Sequence, residues 1–426
     1  MSNFSLPSQF EISDISIDGE SVIGLFFSIS LHEDIYRPIL VGDIVLADSD
    51  AATDEGSYIE KEQIEFIEPI SFSFKNALGD TLEFEGVLNG LTNEYVKNGM
   101  KFYTIGFTSN SMRENEKQFV VKSFKESKPE DIVSEMIELL GEQVETDARG
   151  QQLNYIGSRK RPIDIIGYVC THGLTQDTEA TENEESKEEE AKGTTGFLCW
   201  QTVDGYKFET VDNVLSGQSG EEHTGFKTQL VNQSLSIDEL MKSVVQSDFP
   251  QIGDYQTKLR SGAFGAKLVS FDMDKGLYKE YKYYNDKNMT DKQKEAFPEG
   301  SISRYYNRVV DNQKFSNECE KAQPNTGDQS RKYLEQNAGR QNTFSDQTGN
   351  FTLYPQFNFR AGDTFDCTIN SVADGDKQKG EPNKKHSGRY VIQAIHHYLC
   401  ADGGGYTRIK TIRSTIQQNE TSSSQV

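Results

Sequence analysis

Tyr36-Arg-Pro-Ile-Leu-Val-Gly42-Asp43-Ile-Val-Leu46 near one end of this chain and Phe357-Asn-Phe-Arg-Ala-Gly362-Asp363-Thr-Phe-Asp-Cys367 near the other follow one plan, a Gly-Asp that opens a strand. Each is followed by two long strands in hairpin order. After the first come Gly86-Val-Leu-Asn-Gly-Leu-Thr-Asn-Glu-Tyr95 and Lys101-Phe-Tyr-Thr-Ile-Gly-Phe-Thr108. After the second come Gly388-Arg-Tyr-Val-Ile-Gln-Ala-Ile-His-His397 and Tyr406-Thr-Arg-Ile-Lys-Thr-Ile-Arg413. An internal echo of this length implies two related β-modules in one chain. With no catalytic constellation at either, the echo points to a scaffold.

The modules have turn chemistry to match. Asp18-Gly19 and Asn98-Gly99 read as two-residue hairpin turns, because both central positions of such a turn take positive φ. After Asn98-Gly99, Tyr103, Ile105 and Phe107 alternate with Phe102, Thr104 and Gly106, the two-residue period of a strand. Gly99 and Gly388 are therefore expected to be backbone requirements and not binding residues.

Helical periodicity occupies the region between. In Lys128 to Gly141, the residues Ile132, Val133, Met136, Ile137 and Leu140 form one stripe, with Pro129 in the first turn and Gly141 at the end. Pro162 to His172 carries Ile163, Ile166 and Val169 with Gly173 after it. Between this helix and the strand Gly196 to Val203 runs Glu179 to Glu190, with seven glutamates and one lysine; such a run repels itself and reads as a disordered loop. Ile237 to Val245 is helix-like, and 285–345 is polar and without period.

The expected fold is a β-rich α+β chain with two related antiparallel β-barrels, a small α/β domain between them and an inserted polar segment. Residues 1–112 form the first barrel, and 113–225 the α/β domain with its acidic loop near 177–195. Residues 226–275 plus 345–415 form the second barrel, 276–344 the insertion and 416–426 a polar tail.

The chain has 426 residues, 67 acidic against 44 basic, and a net charge of −23. That balance argues against nucleic-acid binding, which needs a concentrated basic face. It suits a surface that DNA passes without sticking, and equally a surface selected for solubility. Arg159-Lys-Arg161 is a short basic run before Pro162 and reads as a solvated loop. No stretch approaches the ~20 apolar residues of a membrane helix, and Met1 to Phe10 lacks the pattern of a secretory signal. The five cysteines, Cys170, Cys199, Cys319, Cys367 and Cys400, are odd in number and widely spaced, as expected of reduced thiols.

Tests for chemistry fail one after another. Asp272-Met-Asp274 starts like a calcium loop, but Leu277 replaces the glycine and Tyr283 the final glutamate, so a hairpin turn is the better reading. Asp48-Ser-Asp50 fails likewise. His396 and His397 point to opposite faces of a strand and cannot share a metal, and His396 with Cys400 is too few ligands for zinc. No catalytic, cofactor-binding or metal residue is assigned, and no cofactor is expected.

Three segments together resemble the central baseplate hub protein of contractile-tailed bacteriophages. One is Leu31-His-Glu-Asp-Ile-Tyr-Arg-Pro38 leading into Gly42-Asp43. Another is Leu259-Arg-Ser-Gly-Ala-Phe-Gly265 followed by Leu268-Val-Ser-Phe-Asp-Met-Asp274 and the Tyr-rich Tyr278 to Tyr284. The last is Phe359-Arg-Ala-Gly-Asp363 with Ser387-Gly-Arg-Tyr-Val-Ile392 and the final hairpin. The resemblance implies a structural virion protein, not an enzyme, located in the tail baseplate and assembled in the host cytoplasm. It implies a homotrimer that joins a six-fold tail tube protein to a three-fold central spike protein, contacts other baseplate proteins, lines the channel for genomic DNA without binding it, and inserts into no membrane. Gly42-Asp43 and Gly362-Asp363 would then be structural turns. The competing classes are a tail-associated cell-wall hydrolase, supported by the abundance of carboxylates alone, and a cell-surface binding module, opposed by the unpaired cysteines.

Overall fold

The computed structural model describes residues 4–48, 58–173, 175, 196–228, 235–252, 255–272, 277–284, 291–310, 347–370, 382–383, 385–402 and 404–413. The acidic segment 179–190, most of 276–344, Cys319, the loop 49–57 and the tail 416–426 lie outside the described residues or largely so.

The first module contains β1 (Phe10–Ile17), β2 (Glu20–Ser21), β3 (Phe26–Asp34), β4 (Val41–Asp48), α1 (Tyr58–Lys61), β5 (Pro69–Asn76), β6 (Thr81–Lys97) and β7 (Met100–Ser109). The middle block contains α2 (Asn110–Lys117), β8 (Val120–Ser127), α3 (Pro129–Leu139), β9 (Val144–Glu145), β10 (Leu153–Lys160), α4 (Pro162–His172), β11 (Phe197–Thr202), β12 (Gly205–Thr210) and α5 (Val211–Ser216). After it come β13 (Glu222–Thr228), α6 (Ile237–Met241), β14 (Ser243–Ile252), α7 (Tyr255–Ser261), β15 (Gly265–Asp272), β16 (Leu277–Tyr284), α8 (Asp291–Ala296) and β17 (Arg304–Val310). The chain closes with β18 (Gln347–Leu353), β19 (Thr364–Thr368), β20 (Gly388–Cys400) and β21 (Gly405–Arg413).

Alternation builds the first module. In β5, Ile70, Phe72 and Phe74 face inward; in β6, Leu82 and Phe84 do, while Glu83 and Glu85 face water. Phe72 packs against Phe84 at 5.1 Å and edge-on to Phe107 at 5.7 Å between ring centres. Each such ring contributes about 1.5–3 kcal/mol on burial, so the aromatic cluster carries much of this core. Both expected hairpin turns form: Asp18 and Gly19 have φ of 52° and 82°, Asn98 and Gly99 of 55° and 81°.

The two modules share one strand order. Let a to f stand for β1, β3, β4, β5, β6 and β7 in the first and β13, β14, β18, β19, β20 and β21 in the second. Both run a-b-c-f-e-d around the sheet. The second closes as a six-stranded barrel through β19–β20, while in the first no ladder joins β1 to β3. The barrels are thus related, as the sequence echo implies, and a single β3–β20 ladder fuses them into one sheet.

Several details differ from expectation. The second barrel is not wholly antiparallel, since β13 lies parallel to both β14 and β19. The hairpins β6–β7 and β20–β21 are equivalent, but the two Gly-Asp pairs are not. Gly42 lies within the third strand of its module, and Gly362 precedes the fourth strand of its own. Gly42 is not a turn either; it sits on the core face of β4 beside Ile44 and Leu46. The helix at Ile237 ends at Met241, where a Ser236–Glu239 capping box has fixed one short turn and β14 begins two residues later. Arg159 and Lys160 close β10, and Arg161 precedes α4 and pairs with Glu116, so this run is no free loop.

The segment assigned to the second barrel at 265–272 is elsewhere. There β15 pairs antiparallel with β16 and parallel with β17, in a separate three-stranded sheet. Part of the stretch read as polar and without period, 285–345, does form regular elements: α8 and β17 lie in it. The cue was available, because Arg304-Tyr-Tyr-Asn-Arg-Val-Val310 is rich in aromatic and β-branched residues. The strands β15 and β16 pair up to Asp272 and Leu277, as a hairpin and not a calcium loop requires.

Candidate assembly interface

Where β3 and β20 join the barrels, the middle block packs onto the same place, and the charged groups of all three parts meet. Strand alternation sends Glu33 of β3 inward, where it is 1 % exposed. Its Oε1 accepts the Val203 N–H at 3.1 Å and its Oε2 the Ala361 N–H at 2.9 Å. Burial pushes the carboxyl up to about 7, against the pull of the nearby Arg360 guanidinium and these two N–H groups. Arg360 reaches Asp204 of the β11–β12 turn, with Nη2 at 3.0 Å from Oδ1, and donates from Nη1 to the Phe357 and Phe359 carbonyls.

Asp363 organises the neighbouring turn. Its carboxylate accepts the N–H groups of Arg360 at 2.8 Å and Glu221 at 2.9 Å, and lies 2.9 Å from His223 Nε2. His223 stacks on Phe359 with ring centres 4.0 Å apart. The turn passes through Gly362 at φ +96°, where an added Cβ would lie 2.7 Å from the Trp200 ring. Trp200 is fully buried and donates its indole N–H to the Ala361 carbonyl at 2.8 Å. Around it Ile35, Val214, Ala361, Val391 and Ile412 form an apolar cluster drawn from both barrels and the middle block.

These groups are saturated by one another. Each Glu33 oxygen holds a backbone N–H group and the side chain is closed off from solvent, so the raised carboxyl offers a substrate no approach for proton transfer. The arrangement is structural, tying the two barrels and the middle block together at one place. Two of the segments singled out in the sequence, Leu31 to Pro38 and Phe359 to Asp363, touch here through Glu33 and Ala361. The Gly362-Asp363 pair is a structural turn as expected. Trp200, Asp204 and His223 carried no signal of their own; their partners are 140 residues or more away.

The outer face of the joint is different. The two histidines of strand β20 point to opposite faces, as the sequence implies. His397 is fully buried and bonds Thr407 Oγ1 at 3.0 Å, and His396 faces outward. His396 stands directly opposite His32 across the ladder, and the rings stack at 4.1 Å. They line an opening of about 400 Å³ with Arg37, Arg408 and Lys410 and with the carboxylates Glu33 and Asp34. Cys400 is a free thiol, as are Cys170, Cys199 and Cys367. Among the described residues, no group of three or more His, Cys, Asp or Glu could hold a metal ion. No helix among them is long and apolar enough to cross a membrane.

The joint carries a pH signature. Burial, then His32 and Arg408, holds His396 down to about 4, and burial, then Arg360, holds His397 down to about 3. His32 is lowered by burial and Arg37, against Asp43. An unfolded histidine near 6.5 takes a proton that the folded joint refuses, so this stability is present above pH 6.5 and lost as pH falls toward 4. Glu33 acts oppositely, losing stability as pH rises from 4.5 toward 7, but it is one group against three. Urea denaturation should therefore show a fall in stability between pH 6.5 and 4.5. The double variant His32→Gln, His396→Gln should show a shallower fall; an unchanged slope would refute this assignment.

No family profile and no curated protein matches this sequence. Solved structures do share its fold. A tail protein from Neisseria meningitidis MC58 superposes with a TM-score of 0.55 at 9 % identity, over 96 % of this chain and 98 % of that one. The 43 kDa tail protein of prophage MuSo2 from Shewanella oneidensis superposes with a TM-score of 0.52 at 11 % identity, over 95 % of this chain and 98 % of that one. The fold of this chain is thus one found in phage tail proteins, nearly end to end.

Proposed function

We propose that this chain is the central hub of a phage-type tail baseplate, a structural virion protein whose three copies close into a ring. The observation that carries the reading is the pair of barrels with one strand order, fused at a locked joint. Three such chains offer six similar edges to a six-fold tail tube while keeping three-fold symmetry toward a central spike. A single barrel per chain could not meet both demands. The saturated polar knot at the joint supports a rigid adaptor: its one His–Asp pair, His223 with Asp363, is buried and its carboxylate also holds two backbone N–H groups, which suits a turn better than a hydrolase.

In this reading assembly takes place in the host cytoplasm, other baseplate proteins pack around the ring, and genomic DNA passes through it. Three times −23 gives the ring about 70 negative charges, and an acidic lining within the ~8 Å reach of physiological screening would keep DNA from adhering. Native mass spectrometry of the purified chain should give a species of three times 48.0 kDa, and negative-stain images a ring of six lobes around a hole. A strict monomer or dimer, or tight DNA binding at low salt, would overturn the reading.

A further inference from the structure

Within each chain one ladder joins the barrels, and its geometry can be traced strand by strand. Strand β20 pairs with β19 through Val391, bulges at Gln393, and from Ala394 to Cys400 pairs with β3. Strand β3 bulges at Phe27 against β4 on its other side. The joint is thus made by the fifth strand of one barrel and the second strand of the other.

The counterparts of these two strands each have an open edge. In the first barrel the fifth strand is β6, which pairs with β5 through Val87, bulges at Asn89 and runs on to Lys97. Beyond Leu88 no described strand lies on its β5 side, and Leu91, Tyr95 and Val96 are exposed, Val96 by 70 %. In the second barrel the second strand is β14, which bulges at Val245 and again between Asp248 and Gln251 against β18. It meets β13 at Ser243 and Val244, and from Val245 onward that side has no partner among the described residues. Val245 is 51 % exposed. One barrel has the β20-like half of the joint without a receiver, and the other has the β3-like half without a donor.

We propose that the edge of β6 from Asn89 to Lys97 in one copy pairs antiparallel with the edge of β14 from Val245 onward in a second copy, repeating between chains the ladder that β20 and β3 make within one. This rests on the ring reading above and adds where the copies touch. Long unpaired edges are templates for strand addition, and an edge with exposed apolar side chains gains most from being covered. The contact is head-to-tail, so it closes a ring if its rotation divides a full turn, and three repeats make intrachain and interchain joints alternate. The bulges set the register: Cys400 lies seven residues past Gln393 and faces Ser28, one past Phe27. The same count from Asn89 and Val245 places Val96 opposite Gln246.

The test is cross-linking of the full chain. Val96→Cys is combined with Gln246→Cys, and Tyr95→Cys and Lys97→Cys replace Val96→Cys in two further pairs, because β6 has a second bulge at Thr92. Under diamide, at least one pair should give a covalent trimer that dithiothreitol reverses, while single variants and the unaltered chain give none. A trimer by native mass spectrometry in which no pair cross-links overturns this joint and leaves the ring. A chain that stays monomeric overturns both.

Discussion

Gly42→Val is expected to destabilise the first barrel severely. Gly42 faces the core of β4 directly opposite Phe107, and a Cβ there would lie 2.3 Å from both the Phe107 ring and the Ser30 carbonyl oxygen. The ring could turn aside, but the carbonyl is backbone within a paired strand and cannot. Overpacking a core costs about 1–3 kcal/mol when side chains relax, and more when they cannot. A loss of at least ~3 kcal/mol is expected, a large part of the 5–15 kcal/mol that holds a typical domain. Gly99→Val provides the contrast. Nothing lies within 4 Å of a Cβ there, so its cost is the left-handed backbone alone, about 1–2 kcal/mol. Urea denaturation followed by circular dichroism separates the two; equal, small losses at both positions would refute the packing argument.

Trp200→Ala should cost about 3–5 kcal/mol, the range for deleting a fully buried large aromatic side chain. The cavity would open at the junction of the three modules, and the Ala361 carbonyl would lose its indole partner. Trp200→Phe keeps most of the apolar volume and should lose roughly 1–2 kcal/mol, part of it the hydrogen bond. Since Trp200 is the one tryptophan of the chain, its fluorescence in the unaltered protein reports on this junction directly. The signal should change in one transition with the far-ultraviolet circular dichroism if the barrels and middle block unfold as a unit. If Trp200→Ala lies within 1 kcal/mol of the parent, the junction is not the lock described.

Both variants bear on how the ring would be held. A stiff joint within the chain fixes the angle between its two barrels, and a repeat of that joint between chains would fix the angle of closure. A hinge at either place would give open oligomers of mixed size.

Local pattern in the sequence settled a good deal. Alternation in Phe102-Tyr-Thr-Ile-Gly-Phe107, positive-φ dipeptides at Asp18-Gly19 and Asn98-Gly99, and the stripe Ile132 to Leu140 each fix their element from neighbours a few residues away. The hairpin echo between Gly86 and Gly388 marked the duplication, because the two hairpins hold the same place in the strand order of their barrels, although β6 has 17 residues and β20 has 13. The Gly-Asp echo misled for a physical reason. Glycine precedes aspartate in both, but one glycine makes room for Phe107 in a strand and the other turns the chain at φ +96° beside Trp200. Two different backbone needs select the same residue, and a string of letters does not distinguish them. Only the tertiary structure decided that β15 leaves the barrel, that Glu33 meets Arg360 and Ala361, and which strand edges stay open. Glu33 finds its partners more than three hundred residues away, β15 chooses two later strands over the barrel that surrounds its segment in the chain, and an open edge among the described residues awaits a partner that they do not supply.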